Sequence, residues 1–234
     1  MKNNHDILAL IPARSGSKSV IDKNIRMMDG KPMLAYSIEH ALQSSYINRV
    51  IVSTDSEQYR QVALQYGAEA PFLRPAEFAT DTALDIEVFL HCLLYLKETE
   101  DYEPELVVQL RPTYPIRRVV DIDEMIKRML DDELIDSMRC IAPAKEIPQK
   151  MWFERTDGTL EAVVKEPEEA YNMPRQALRK AYYQNACIDV IRTRVILQNH
   201  SMSGTKICGY HMAENFDIDS EEDFLRAKLY LEKL

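Results

Sequence analysis

The chain alternates short apolar runs with segments of helical periodicity. Residues 7–11 are all apolar, and residues 49–55 form a β-branched run that ends in polar side chains. Between them, residues 33–44 carry apolar side chains at positions 33, 34, 38, 41 and 42, which is the spacing of one helical face. A strand, a helix and a second strand in this order predict an α/β fold with a mainly parallel sheet.

The alternation continues along most of the chain. The same reasoning predicts helices at 56–66, 83–97, 119–130 and 221–233, and strands at 105–110 and 136–141. A short strand followed by a loop is expected at 70–77, and Thr80-Asp81-Thr82 is expected to cap the helix that begins at Ala83.

Residues 143–180 break this rhythm. They hold four prolines, the only tryptophan (Trp152) and the hairpin-like run Arg155-Thr-Asp-Gly158-Thr. These features predict an inserted antiparallel element. The following run, Ala186 to Val195, carries mixed strand and helix signals.

The loop after the first strand has the composition of an anion site. Its small residues, including Gly16 and Ser17, are interleaved with Arg14, Lys18 and Lys23. Serine hydroxyls and loop N–H groups donate to phosphate oxygens, and cations offset the charge. Ligands of parallel α/β sheets gather at the carboxyl ends of strands, where this loop lies. The alternative is an ordinary basic surface loop, and no G-x-x-x-x-G-K-[ST] motif is present.

Two carboxylates alternate just before the last helix. Asp217 and Asp219 can point to one side of an extended segment, and paired carboxylates with open positions suit Mg²⁺. The alternative is that Asp219 or Ser220 caps the helix and needs no metal.

A third group of charges surrounds the loop after residue 110. Arg111, Arg117 and Arg118 could bind a carboxylate, because the guanidinium group matches that geometry. The alternative is surface pairing with Asp121 or Asp123, which contributes little energy.

Composition narrows the classes of partner. The chain has 234 residues, 46% of them hydrophobic, and a net charge of −9, which argues against a nucleic-acid partner. No apolar run approaches the ~20 residues of a membrane helix, so no membrane partner is expected. Residues 1–6 are polar, so we expect no signal peptide, and the four cysteines form no C-x-x-C pair, which fits a reducing cytoplasm.

Several motifs together resemble the acylneuraminate cytidylyltransferases, which make CMP-sialic acid and related CMP-nonulosonates. Ile11-Pro-Ala-Arg14-Ser-Gly-Ser-Lys18, followed by Lys23-Asn24, is close to the family's I-P-A-R-x-G-S-K-x-x-x-x-K-N. Further matches, in chain order, are Val52-Ser-Thr-Asp55, Leu73-Arg-Pro-Ala-Glu77, Asp81-Thr82, Arg111-Pro-Thr-Tyr-Pro-Ile-Arg117, Arg175-Gln176, Asn185 and Asp217-Ile-Asp219.

The resemblance implies an architecture and a set of site residues. It implies a Rossmann-like nucleotidyltransferase core at 1–142 and 206–234, with an inserted dimerisation and substrate-capping element at 143–205. Arg14, Lys18 and Lys23 are then expected to be catalytic, and Asp217 and Asp219 to hold Mg²⁺ as the cofactor. Nucleotide binding is expected at Arg14, Ser17, Lys18, Lys23, Asn24, Arg74 and Asp85, and sugar-acid binding at Arg111, Lys150, Arg175, Tyr183, Gln184 and Asn185.

The segments expected to bind the sugar acid depart from the family pattern. The family's Leu-Gln-Pro-Thr-Ser-Pro is Leu110-Arg-Pro-Thr-Tyr-Pro115 here, and its Arg-Pro-Asn-Gly is Tyr183-Gln-Asn-Ala186. The resemblance therefore predicts a cytoplasmic homodimer that transfers CMP from CTP to the anomeric hydroxyl of a sialic-acid-like nonulosonic acid, legionaminate or pseudaminate being at least as fitting as sialate. The alternatives are another acceptor, such as Kdo, a phosphonate or a sugar phosphate, or a non-catalytic nucleotide-binding protein.

Overall fold

The computed structural model describes residues 5–17, 20–212 and 216–232. Its helices are α1 (Met33–Gln43), α2 (Glu57–Gln65), α3 (Asp85–Glu100), α4 (Val119–Asp131), α5 (Thr193–Asn199) and α6 (Glu221–Leu231). Its strands are β1 (Ile7–Pro12), β2 (Met27–Met28), β3 (Lys31–Pro32), β4 (Arg49–Ser53), β5 (Leu106–Leu110), β6 (Ser137–Pro143), β7 (Trp152–Glu154), β8 (Leu160–Ala162), β9 (Tyr182–Arg192) and β10 (Ile207–His211).

Six of the strands formed by the described residues make one sheet, in the order β10-β6-β9-β5-β1-β4. Neighbouring strands β1, β4 and β5 run parallel, as do β6 and β10, whereas β9 runs antiparallel to both β5 and β6. The predicted α/β fold with a mainly parallel sheet is therefore confirmed. The carboxyl ends of the parallel strands lie at one edge, where ligands bind in such sheets.

The sheet is covered on both faces, which explains its continuous apolar runs. In β1, Ile7, Ala9 and Ile11 join the core under α1, α2 and α4, while Leu8 and Leu10 join the core under α3 and α5. A third, smaller cluster packs α6 onto α1, with Ile218 at its centre.

The sequence predictions place most elements within a few residues of their observed ends. Two were wrong. Residues 70–77 form no strand; only Glu69 bridges to Ile51, because Pro71 and Pro75 lack the N–H groups a ladder needs. The expected cap at Thr80-Asp81-Thr82 was also wrong: the helix is present but begins at Asp85, and its cap is Leu84, whose N–H donates to Glu87 at 2.8 Å.

The stretch predicted as an insertion, 143–205, contains a strand of the central sheet. The mixed signals over 186–195 come from β9 running directly into α5. The antiparallel hairpin expected around Gly158 is present as β7 and β8, outside the central sheet. Because β9 begins opposite the end of β6, the segment between them leaves and re-enters the sheet at its ligand edge.

Candidate active site

A cavity of about 490 Å³ opens at the carboxyl ends of β1, β4 and β5. Its volume falls in the range of ordinary small-molecule sites, roughly 300–1,000 Å³. Its lining is mostly polar and charged and comprises Pro12, Arg14, Ser17, Lys23, Asn24, Arg74, Phe78, Thr80, Asp81, Ala83, Asp85, Val88, Arg111, Pro112, Thr113 and Asp219. The fold thus gathers eight of the predicted site residues, which are Arg14, Ser17, Lys23, Asn24, Arg74, Asp85, Arg111 and Asp219.

The loop after β1 is fixed in shape by contacts with the neighbouring strand end. Ser15 donates both its N–H and its hydroxyl to the carboxylate of Asp55, at 2.8 and 2.7 Å. Burial raises the pKa of Asp55, but these bonds outweigh it and leave the pKa below its usual value. Gly16 has φ +69°, which a glycine adopts without strain. The amide of Asn24 closes the loop on the carbonyl of Arg14 at 2.9 Å.

Two arginines of the cavity lining, Arg14 and Arg74, have different surroundings. Arg14 pairs with Asp81 at 2.9 Å, and both side chains are part-exposed. Arg74 is buried and bonds to Ser53, with its Nε 3.1 Å from the hydroxyl. Burial lowers the pKa of Arg74 to about 10, so it remains charged at neutral pH.

Lys23 joins the first loop to the end of the chain. It is 8% exposed, and its Nζ donates to the carbonyl oxygen of Ile218 at 2.7 Å. The same Nζ lies 3.4 Å from Oδ1 of Asp219. A cation from the N-terminal loop and a carboxylate from the C-terminal segment therefore face one cavity.

Asp217 and Asp219 flank Ile218 but lie in different surroundings. Asp219 is largely exposed and lines the cavity, whereas burial, helped by the nearby Asp219 charge, raises the pKa of Asp217. The hydroxyl of Ser220 caps α6 by accepting from the N–H of Asp223 at 3.2 Å. The capping alternative is thus satisfied by Ser220, and the carboxylate of Asp219 is left to the cavity.

Arg111 is held by two carboxylates. Its Nη2 lies 2.7 Å from Oδ2 of Asp85, and its Nη1 lies 3.2 Å from Oδ2 of Asp189. Of the neighbouring arginines, the exposed Arg118 pairs with Asp121, the partner named in the alternative, but this carboxylate is buried rather than at the surface. The buried Arg117 instead donates to the carbonyl of Cys187, at 2.9 and 3.1 Å, and its role is structural.

Asp217 and five other predicted residues lie outside the cavity lining. Lys150 donates to the carbonyl of Tyr171 at 2.9 Å, and Arg175 donates to the carbonyl of Lys145 at 2.7 Å, both in the segment between β6 and β9. The remaining three are on β9. Tyr183 is part-exposed, Gln184 donates to Asp189 at 3.2 Å, and Asn185 is buried against Cys187 and Met212. Lys18 lies outside the described residues.

Sequence reasoning did not find Asp189. It lies within an apolar strand, Ala186-Cys-Ile-Asp189-Val-Ile-Arg192, and is fully buried. A lone carboxylate in such an apolar run could have indicated a buried ion pair, because a buried charge needs a partner.

Comparison with known proteins decides the family. The profile of the cytidylyltransferase family matches residues 8–234. The chain belongs to the cytidylyltransferase family. The relationship expected from the motifs is thereby confirmed, and it extends over nearly the whole of this cytidylyltransferase.

Two of the relatives match this cytidylyltransferase along more than nine-tenths of both chains. The flagellin modification protein B of Campylobacter coli is 35% identical, over 94% of this chain and 92% of the relative. The CMP-N,N'-diacetyllegionaminic acid synthase of Legionella pneumophila is 32% identical, over 97% and 96%. Among solved structures, a CMP-2-keto-3-deoxy-manno-octonic acid synthetase complexed with CTP superposes with a TM-score of 0.74. It covers 98% of this chain and all of the other at 18% identity, which shows the shared fold.

Proposed function

We propose that this cytidylyltransferase transfers CMP from CTP to the anomeric hydroxyl of a sialic-acid-like nonulosonic acid and releases pyrophosphate. The observation that carries the proposal is a single cavity that combines the cations of the first loop with the carboxylate of Asp219 and the guanidinium of Arg111. The relatives that match along more than nine-tenths of both chains support it, since one of them is named as a CMP-nonulosonate synthase.

The triphosphate is assigned to the side of the cavity lined by Arg14, Ser17 and Lys23. Phosphoryl-type transfer depends on position and charge neutralisation more than on covalent help from the protein. Arg14 and Lys23 stabilise the negative charge that grows on the α-phosphate and on the leaving pyrophosphate. Asn24 holds the loop in shape through the carbonyl of Arg14, and Arg74 completes the cationic wall.

The carboxylates of Asp217 and Asp219, just before α6, fit a divalent cation. Mg²⁺ prefers oxygen ligands, uses one or two carboxylates and takes its other positions from water and substrate phosphates. Asp217 and Asp219 offer such a donor set beside the phosphate side, and burial together with the nearby Asp219 charge raises the pKa of Asp217, so a cation bound there would favour its charged form. When bound there, Mg²⁺ supplies charge neutralisation for the triphosphate.

The reaction makes one oxygen–phosphorus bond, breaks another, and breaks the O–H bond of the acceptor. The anomeric oxygen of the acceptor attacks the α-phosphorus, the bond from that phosphorus to the pyrophosphate oxygen breaks, and the hydroxyl proton is released. Lys23 is placed to stay near the phosphates throughout, because the carbonyl of Ile218 fixes its Nζ. No covalent intermediate with the protein is required.

The acceptor is assigned to the side of the cavity lined by Arg111, Pro112 and Thr113. A nonulosonic acid carries a carboxylate beside its anomeric carbon, and Arg111 offers the bidentate donor geometry that carboxylates bind. Lys150 and Arg175, on the segment between β6 and β9, and Tyr183, Gln184 and Asn185, on β9, remain proposed acceptor contacts.

A homodimer in the cytoplasm completes the proposal. The β7–β8 hairpin exposes Met151, Trp152, Phe153 and Leu160, and its apolar surface is of the kind that marks a protein interface. Within the described part of the chain, no helix has both the length and the hydropathy of a transmembrane segment.

The test is a screen of acceptors with CTP and Mg²⁺, in which released pyrophosphate is measured. N-acetylneuraminate, N,N'-diacetyllegionaminate, pseudaminate and Kdo are compared with a phosphonate and a sugar phosphate. We expect the highest rate with a nonulosonic acid. Turnover confined to a phosphonate or sugar phosphate would redirect the assignment to another acceptor, and absence of CTP–Mg²⁺ binding by calorimetry would favour a non-catalytic protein.

A further inference from the structure

Both terminal nitrogens of the Arg111 guanidinium already contact acceptor groups of the protein. Asp85 and Asp189 take its two terminal nitrogens, at 2.7 and 3.2 Å, and the carbonyl of Ala186 lies 3.4 Å from Nη1. Burial lowers the pKa of Arg111, but the two carboxylates outweigh it and leave the pKa raised. An entering acid therefore does not meet a free cation.

The two carboxylates are bound very differently. Asp189 is fully buried on β9 and has further partners, Arg139 at 3.6 Å and Gln184 at 3.2 Å. Removing it from Arg111 would leave a buried charge poorly compensated, which is costly. Asp189 is thus a permanent support that sets the orientation of Arg111.

Asp85 is the exchangeable partner. Its side chain is 42% exposed and lines the cavity at the first residue of α3. Its remaining bond, from the amide of Gln109 at 2.9 Å, does not depend on Arg111. Solvent and the amino end of α3 both stabilise its charge after release.

We infer that Asp85 occupies the place on Arg111 that the acceptor's carboxylate takes, so that acceptor binding exchanges one carboxylate for another. The inference rests on the proposed function and adds to it a residue that determines specificity. A neutral acceptor gains no binding energy from Arg111 while Asp85 stays bound to it. An acid, in contrast, breaks the ion pair between Arg111 and Asp85 and forms a new ion pair with Arg111. The exchange also lowers the apparent affinity for the acid, because only the released state of Arg111 is competent to bind it.

The exchange is tested with Asp85→Asn, which keeps the size of the side chain and removes its charge. Pyrophosphate release is measured with the fastest nonulosonic acid from the screen and with the methyl ester of that acid. The measured quantity is the ratio of kcat/KM for the acid to kcat/KM for the ester, in which changes at the nucleotide cancel. We expect this ratio to rise about tenfold, the effect of removing one competing charge-assisted contact.

Glu87→Gln is the matched control. It removes one charge from the same first turn of α3, but its carboxylate bonds to the N–H of Leu84 and does not line the cavity. The ratio should stay at the wild-type value in this variant. An equal rise in both variants would show a general effect of charge and overturn the exchange.

An unchanged or lower ratio in Asp85→Asn would also overturn it, while the activity of the wild type still supported the proposed function. A wild type that releases no pyrophosphate with any nonulosonic acid would overturn both. Asp85→Ser, with circular dichroism as the check on folding, repeats the measurement if the Asn variant does not fold.

Discussion

The Nζ of Lys23 lies 2.7 Å from the carbonyl oxygen of Ile218, although 195 residues separate the two in the chain. The contact places a buried cation beside Asp217 and Asp219. The positions of these charges in the cavity therefore depend on residues that are far apart in the sequence.

Lys23→Ala should lower kcat/KM for pyrophosphate release by about 10²-fold or more, the usual cost of removing one preorganised charge from a transition state. Thermal unfolding should show a folded protein. Lys31→Ala is the control, because Lys31 pairs with Glu39 and does not line the cavity. Near-normal turnover in Lys23→Ala would remove the assignment of the phosphate side.

Asp219→Asn and Asp217→Asn should each raise the Mg²⁺ concentration needed for half-maximal activity by about tenfold or more, since one of two proposed ligands loses its charge. Asp217→Asn should also unfold at the same or a higher temperature without ligand, because the raised pKa shows that the charged form is disfavoured in the fold. Glu222→Gln, exposed on α6, is the control. Identical Mg²⁺ curves for all three variants would argue against the metal assignment.

Arg111→Gln should change the preference among sugar acids while the KM for CTP stays close to that of the wild type. It should also lower the free energy of unfolding by about 3 kcal/mol, because the buried Asp189 loses its nearer cation. Adding Asp189→Asn should restore much of the unfolding temperature without restoring the acid preference. A variant in which only the KM for CTP rises would place Arg111 on the nucleotide side.

Phe153→Asp should convert the proposed homodimer into a monomer, as measured by light scattering after gel filtration. Phe153 is 62% exposed on the β7–β8 hairpin, and a charge there cannot be buried against a second copy. Leu229→Asp is the matched control, because Leu229 is 58% exposed on a different element, α6. A wild type that is already monomeric, or a Phe153→Asp variant that stays dimeric, would contradict the prediction.

Asp136→Asn should destabilise the fold at neutral pH and much less in acid. N–H groups of Lys206 and Thr205, at 3.1 and 2.9 Å, lower the pKa of Asp136 to about 2. Since the pKa is lower in the folded chain, this stabilisation is present above the ordinary value of 3.8 and is lost as the pH falls toward 2. The difference in unfolding temperature from the wild type should therefore shrink between about pH 4 and about pH 2. A difference that is constant over this range would refute the carboxylate's role.

The sequence predicted the frame of the fold because local periodicity carries that information. The buried runs 7–11 and 49–55 and the helical stripe of α1 are set by which faces they bury. The direction of β9 is different. Its pairing with β5 and β6 depends on contacts distant in the chain, so local pattern alone left it ambiguous between strand and helix.

The same limit applies to the site. The motifs predicted that Arg14, Lys23 and Asp219 line one site, and they do, because loops after parallel strands lie at the same edge of the sheet. They could not show that Arg111 and Asp85, expected on separate substrates, bind each other at 2.7 Å. Side-chain pairing depends on the registers of β5, β9 and α3, which are settled only in the assembled fold.

Because Lys23 donates to the carbonyl of Ile218, the charge arrangement around Lys23 can form only after residue 218 has been synthesised. A nascent chain that has emerged as far as His211 carries all six strands of the central sheet but neither Asp217 nor Asp219. Until the segment before α6 leaves the ribosome, the cationic loop lacks the partner that fixes its buried lysine. Truncation before residue 217 should therefore give a protein that keeps the strands of the central sheet but lacks the carbonyl and carboxylate oxygens that face Lys23.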